Sequence, residues 1–304
     1  MEKTDFVALG FCSNDYLALL PEIPMDNKVQ MLSHLVQGGG PAATASVTAA
    51  RLGVSSAFIG AVGDDEPGKK ILADLESEKV STSGMVIRRN ASSPVAYCWV
   101  DAPTGKRSVA WTRGDLQEMS AEEVDLSLVR NAKILHLDGH NPQAALAAAK
   151  EAHQHGVIVN LDAGTLRAGV RELLPYVTLF ITSELFARQY AQTEDLEKAL
   201  HILGENGSLV TGVTMGDKGS LVLGENGKIV HCPAFPVAAV YTTGAGDVYH
   251  AAFGVRYLET SDVMESMRFA SAVAALKCLK MGGRTGIPDR KQLYDFLKSK
   301  GDMS

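Results

Sequence analysis

The run Thr242-Thr243-Gly244-Ala245-Gly246-Asp247 gathers in a few residues the parts that phosphoryl transfer requires. Val248, Ala252 and Val255 follow at helical spacing, which predicts a helix that opens at the glycine turn and buries one apolar face. The first amides of a helix have no intrahelical acceptor and sit at the positive end of its dipole. Gly244, Ala245 and Gly246 therefore offer an anion site. Asp247, on the first turn, can take a proton from a hydroxyl while those amides steady the transferred charge. A capped helix behind a glycine loop shares this short spelling. A dinucleotide fingerprint does not, because its last glycine is missing.

The elements that must position this turn can be read along the chain. Residues 6–11 are apolar and read as a buried first strand, with Asn14-Asp15 in the loop that leaves it. Loops at strand C-termini are where open α/β sheets bind ligands, which places Asp15 well for a polar substrate. Gly38-Gly39-Gly40-Pro41 then opens a helix, with Pro41 at its first position, Ala42 to Leu52 as helix formers and Gly53 as the stop. The glycines suit close approach of a ligand to the backbone. Residues 57–65 read as a strand leaving through Gly63-Asp64-Asp65, followed by a helix over 68–78 with Ile71 and Leu75 inside. Residues 95–100 and 107–112 flank a turn and read as a β hairpin inserted into the alternation. From Lys133 onward strands and helices alternate regularly, which predicts a parallel sheet covered on both faces. Asn226-Gly227 marks a late hairpin. An apolar helix over 269–280, the loop Met281-Gly282-Gly283-Arg284 and a short last helix beyond Pro288 complete the chain. His136, His140, His153 and His155 lack metal-ligand spacing and read as structural or solvated.

Thr-Thr-Gly-Ala-Gly-Asp near the C-terminal end resembles the signature of the ribokinase-like (PfkB) sugar kinases, and further matches span nearly the whole chain. The resemblance implies a single ribokinase-like domain over 1–304. It has a parallel-dominated sheet between helices and a small discontinuous β lid from about 12–37 and 94–113. It implies ATP-dependent phosphorylation of a sugar hydroxyl, with Asp247 as base, the Gly244, Ala245 and Gly246 amides as anion hole, and ATP with Mg2+ as cofactors. For the sugar it points to Asp15, Lys28, Gly39, Gly40, Thr44, Arg107, Trp111 and Asp138, with Arg113 also on the lid. For the nucleotide it points to Ser183, Thr214, Gly216, Gly219, Thr243, Gly246, Lys277 and Gly283. Several family positions are changed here. A sugar-binding Asn is replaced by Ala43. The usual Asn-x-x-Glu is replaced by Ser183-Glu184-Leu185-Phe186, leaving Glu184 as a metal ligand through water. The family's Asp before the Thr-Thr pair, which helps hold a monovalent cation, is Tyr241, so little activation by potassium is expected. The run from Gly38 to Ala45 and the Gly282-to-Pro288 loop are similar to the sulfofructose kinase branch. Trp111 and Asp138, however, do not suit an anionic sugar, and a neutral ketohexose or related sugar is the better match. A nucleoside kinase of the same fold and a catalytically weak sugar-binding regulator are the alternatives.

Composition agrees with an ordinary globular protein within range of one large α/β domain: 304 residues, 46% hydrophobic, 21% charged. The net charge of -6 argues against nucleic-acid binding, which needs a basic face. No apolar run is long enough for a membrane span, and the N-terminus lacks signal-peptide order. Cys12, Cys98, Cys232 and Cys278 are widely spaced, which suits reduced, buried thiols in a cytoplasmic protein. Exposed lid edges invite pairing, so a homodimer through the lids is expected.

Overall fold

A computed structural model describes residues 4–224 and 227–301. In chain order its strands are β1 (Phe6–Leu9), β2 (Ser13–Leu20), β3 (Ser33–Gly39), β4 (Ser56–Gly63), β5 (Val80–Arg88), β6 (Val95–Asp101) and β7 (Arg107–Thr112), then β8 (Ile134–Leu137), β9 (Ile158–Ala163), β10 (Leu179–Ser183), β11 (Val210–Thr214), β12 (Ser220–Leu223) and β13 (Ile229–Cys232). The helices are α1 (Pro41–Arg51), α2 (Glu66–Ser77), α3 (Leu126–Arg130), α4 (Pro142–Gln154), α5 (Val170–Leu173), α6 (Glu184–Ala191), α7 (Leu196–Gly204), α8 (Ala245–Thr260), α9 (Val263–Lys277) and α10 (Arg290–Ser299).

Nine strands form one sheet in the order β13-β12-β11-β10-β9-β8-β1-β4-β5. Pairing is parallel from β11 to β5 and antiparallel where β12 and β13 extend one edge. This is the mostly parallel α/β architecture that the strand–helix alternation predicts. Alternation along β1 shows why both faces are covered. Phe6 and Ala8 enter the core shared with α1, α8, α9 and α10, while Val7 and Leu9 enter the core shared with α3, α4, α6 and α7. The chain adds β4 and β5 on one side of β1 and β8 to β11 on the other. The order reverses at β1 and β8, and such a switch point leaves a crevice at the strands' C-terminal ends.

A second sheet runs β3-β2-β6-β7. Its pairs are antiparallel except β2 with β6, which is parallel. Asn14 and Asp15 lie inside β2, so the expected loop after the first strand is a strand of this sheet. The side of it that carries Leu17, Cys98 and Val100 packs on Tyr241, just before the glycine turn. The late hairpin is present as antiparallel β12 and β13, with Leu221 opposite His231; Asn226 lies outside the described residues.

Local chemistry sets several boundaries. Pro41 opens α1, where a missing N–H costs nothing. The Asp65 carboxylate accepts from the Gly68 amide and caps α2. Asp289 and Gln292 form a capping box on α10. α8 departs from the one-sided burial that its spacing predicts. Val248, Ala252 and Val255 are fully buried, but so are Ala251, Phe253 and most of the remaining turns. The helix is packed between the sheet, α1 and α9, so no side of it reaches solvent along most of its length.

Candidate active site

The glycine turn begins with Gly244, whose φ of 83° is natural for glycine and strained for other residues. The Ala245 amide closes a turn on the Thr242 carbonyl (3.1 Å), so it is not a free donor as the sequence suggests. Among the described residues the amides of Gly244, Gly246 and Asp247 take no protein acceptor, and the head of α8 keeps the free donors that suit an anion. Asp247 is half-buried on that first turn. Burial pushes its carboxyl up to about 7, helped by the Asp162 and Asp138 charges and opposed by His250 and Lys277. A carboxyl poised there gives and takes protons near neutrality.

Below the turn, at the ends of β8 and β9, lies a polar layer that sequence reading missed. His250 Nδ1 stands 2.9 Å from Asp162 Oδ1, both buried. Burial would raise Asp162, but His250, together with His136 and His140, more than offsets this and its carboxyl titrates below the usual value. Asn160 Nδ2 lies 3.0 Å from His136 Nδ1 and donates to the His250 carbonyl (3.0 Å). Asp138 Oδ2 accepts from the Phe11 and Ala42 amides, and its Oδ1 accepts from the His140 amide. Its carboxylate ties the exits of β1 and β8 to the head of α1, so its contacts are with backbone amides of the protein itself. Asp162 and Asp138 close parallel strands, a pattern visible in the sequence; their pairing with groups far along the chain, His250 for Asp162 and the Phe11 and Ala42 amides for Asp138, is not.

Asp15 is half-buried and accepts from Ser13 Oγ (2.6 Å). Burial raises its carboxyl, with Ser13 and Arg284 opposing. The glycines beside it serve the protein's own groups, which corrects the expected open approach for a ligand. A Cβ at Gly39 would collide with the Asp15 carboxylate, one at Gly38 with Arg284 and Asp74, and one at Gly40 with the Phe11 carbonyl. Arg284 is the main residue missed here. Buried, it donates to Asp74 Oδ2 (2.8 Å), the Gly39 carbonyl (2.9 Å) and Thr44 Oγ1 (3.3 Å), joining α2, β3 and α1. Thr44 is thereby engaged as a structural acceptor. A buried arginine in the loop Gly282-Gly283-Arg284 is the signal that could have revealed it.

Strand register separates the remaining sugar-side candidates. Asp15 pairs with Ala96, which pairs with Trp111, and Val100 pairs with Arg107, so Asp15, Trp111 and Arg107 share one side of the small sheet. Arg107 Nη1 donates to Thr242 Oγ1 (3.3 Å), linking that sheet to the turn. Trp111 meets the Phe11 ring edge-on, and Arg113 lies over that ring and beside His140 Nδ1 (2.8 Å). Lys28 is not brought to this group. It is exposed and lines a separate groove of about 490 Å³ with Tyr16, Tyr97 and Trp99, whose side chains alternate with Asp15, Leu17 and Cys98.

On the other side of the turn a cleft of about 610 Å³ runs from Thr214, Gly216 and Gly219 to Thr242, Ala245 and Gly246, with Phe235, Val237 and Ala275 as apolar wall. A cleft with an apolar wall that ends at free helix amides suits a base at one end and phosphates at the other. Ser183 is outside these walls. Its hydroxyl accepts from the Phe186 amide and donates to the Gly164 carbonyl, which makes it the cap of α6. Glu184 pairs with Arg188 (2.7 Å). Among the described residues no cluster of three or more His, Cys, Asp or Glu could hold a metal. Gly283 sits against Gly244 and Gln37, closing the turn from behind. Lys277 lies behind the turn too, with its ammonium on the Tyr241 and Thr243 carbonyls and not in the cleft. No helix among the described residues is long and apolar enough to cross a membrane, and all four cysteines are buried thiols.

Comparison with known proteins agrees with this fold. The chain is 33% identical over 284 residues to an ATP-dependent ribose-1-phosphate kinase of Halopiger xanaduensis, covering 93% of each. It is 29% identical to a nucleoside kinase of Methanothermobacter thermautotrophicus, covering 95% of this chain and 94% of that one. The structure of Arabidopsis thaliana ribokinase complexed with ribose and ATP superposes with a TM-score of 0.85 at 27% identity, over 97% of this chain and 99% of that one. These matches do not single out the sulfofructose kinase branch. The model of the pfkB family carbohydrate kinases matches residues 3–290, and the chain belongs to that family.

Proposed function

We propose that this protein is an ATP-dependent kinase that transfers the γ-phosphoryl group to a hydroxyl of a small sugar, a ketohexose or a related sugar. One observation carries the reading: Asp247, held near neutral pKa, stands on the turn whose free amides end the cleft of about 610 Å³. The acceptor lies between Asp15 and Asp247. Its hydroxyl oxygen forms the new bond to phosphorus, the bond to the ADP oxygen breaks, and the hydroxyl proton passes to Asp247. The Gly244 and Gly246 amides steady the phosphoryl charge. The small sheet, tied to the turn through Arg107 and Thr242, acts as a lid that keeps water from competing.

Magnesium keeps much of its shell as water and phosphate oxygens, so it needs few protein ligands, and it neutralises charge between the phosphates. The donor set fits that mode. Ser183 pairs with Thr214, a residue of the cleft, and the carboxylate we assign to the ion through water is that of the next residue, Glu184, which also pairs with Arg188. The exposed strand β7, with Val109 and Trp111, suits pairing with a second copy, and we assign the homodimer to the lids.

A nucleoside acceptor is the second reading. The stacked Phe11 and His140 rings, with Trp111 edge-on, are a surface on which a base could lie. The test is ADP release with ATP and a panel of ketohexoses, ribose, ribose 1-phosphate and nucleosides, with products assigned by phosphorus NMR. Turnover that is fastest on a neutral sugar supports the first reading, and turnover confined to nucleosides supports the second. No acceptor raising ADP release above the rate with water alone would defeat both and favour a sugar-binding regulator.

A further inference from the structure

Lys277 ends α9 with its side chain fully buried. A buried ammonium is costly unless its protons find acceptors. Among the described residues no carboxylate lies within ion-pair distance of it. Its Nζ donates to the Tyr241 carbonyl (2.9 Å) and to the Thr243 carbonyl, and it sits over the Tyr241 ring, 5.0 Å from the centroid. Both acceptors belong to the segment that leads into the glycine turn. In a planar trans peptide the C=O and N–H point to opposite sides. Fixing the Thr243 carbonyl on Lys277 therefore turns the Gly244 amide away from Lys277, and fixing the Tyr241 carbonyl does the same for the Thr242 amide. Val240 and Tyr241 are also held from behind, because both their amides donate to the Cys278 carbonyl, one residue beyond Lys277.

We propose that Lys277 is a positioning residue, a built-in cation that holds the Tyr241–Thr243 carbonyls and so keeps the anion turn in its donor-outward form without a bound monovalent ion. The inference rests on the phosphotransferase reading of the turn. It also gives a positive reason, beyond the loss of a carboxylate at Tyr241, why potassium has no place to act. The turn should then fail when the ammonium loses its proton. The groups facing Lys277 are Asp247 from α8, Cys278 from its own helix, Arg107 from the small sheet and the Tyr241 ring. Burial lowers the Lys277 pKa to about 8; Cys278 and Asp247 work against this shift and Arg107 with it. Cys278 and Tyr241 are themselves raised, chiefly by burial, so Lys277 is the member of this set that changes charge just above neutrality.

The wild-type protein gives the first test. Initial rates in potassium, sodium and choline chloride at matched ionic strength should agree, and kcat should fall as pH rises through about 8. A many-fold stimulation specific to potassium would overturn the proposal. Lys277→Met should lower kcat by roughly 10²-fold, the order of one lost anion-hole donor, with little change in KM for ATP. Lys277→Ala leaves room for an external cation, and ammonium, methylammonium or potassium should restore part of its kcat. Hydrogen exchange at residues 242–248 provides a readout that needs no turnover: it should quicken in both variants and slow again in Lys277→Ala on adding ammonium. Unchanged kcat and exchange in Lys277→Met would refute the role. So would a Lys277→Ala protein that melts like wild type yet responds to no cation in rate or exchange. If the wild type phosphorylates nothing on the panel, the kinase reading fails by itself, and the exchange data still judge Lys277.

Discussion

As the proposed base, Asp247 must meet two demands that oppose each other. To take a proton it must be ionised at working pH, and to be shielded from water it must be partly buried, which resists ionisation. The neighbouring His250 and Lys277 charges moderate the conflict and leave the carboxyl at about 7. The base works only when deprotonated, so kcat/KM should climb with pH through about 7, the limb opposite to the one assigned to Lys277. Asp247→Asn should abolish that limb and reduce kcat by roughly 10²–10⁴-fold while ATP still binds. A variant turning over at near the normal rate would place the base elsewhere. Asp15 should behave differently. Asp15→Ala removes a half-buried acceptor from the proposed sugar side, a loss of roughly 1.5–3 kcal/mol if it bonds a substrate hydroxyl. The sugar KM should therefore rise far more than the ATP KM. Equal changes in both constants would take Asp15 out of the sugar pocket.

Among the elements, β3 and the head of α1 set the proposed sugar side. Gly38, Gly39 and Gly40 look in the sequence like a strip bared for a ligand, and the structure fills each with a protein group instead. The residue type was legible, but what lies over each glycine was not, because Asp15, Asp74 and Arg284 arrive from separate parts of the chain. Gly39→Ala should push the Asp15 carboxylate aside, raise the sugar KM about as much as Asp15→Ala, and leave the ATP KM near normal. Wild-type sugar affinity in a folded Gly39→Ala protein would show that Asp15 does not depend on this contact. Ser183 carries a related lesson. Its hydroxyl after a strand has the spelling of a phosphate contact and also of a helix cap, and local hydrogen bonding chose the cap. Boundaries set by local chemistry, such as Pro41 at α1, were readable because their cause lies within a few residues.

At the scale of the molecule, the parallel sheet and its two faces were legible because alternation and helical spacing repeat along the whole chain. The ionic layer beneath the site was not, since His136, Asp162, Asp247 and His250 meet only when β8, β9 and α8 are packed. That layer makes the protein's response to acid a balance of opposite effects. Burial lowers His136 from 6.5 to about 4, so the unfolded chain binds the extra proton and stability falls as pH drops through that window. Asp247 is raised from 3.8 to about 7, so the folded chain binds the extra proton, and stability is lost as pH rises toward about 7. Between about 4 and 6.5 the two slopes oppose each other, and the melting temperature of the wild type should change little on their account. Substitution separates them. Asp247→Asn removes only the second effect, so its melting temperature should exceed that of wild type by several degrees at pH 8, given roughly 2–4 °C per kcal/mol in large domains. That advantage should shrink as pH falls through the Asp247 pKa, and the variant should then lose stability in acid faster than wild type. Melting curves of both proteins at half-unit pH steps from 5 to 8 test this directly. An Asp247→Asn protein no more stable than wild type at any pH would mean that the carboxyl is not held in the strained, desolvated state its catalytic use requires.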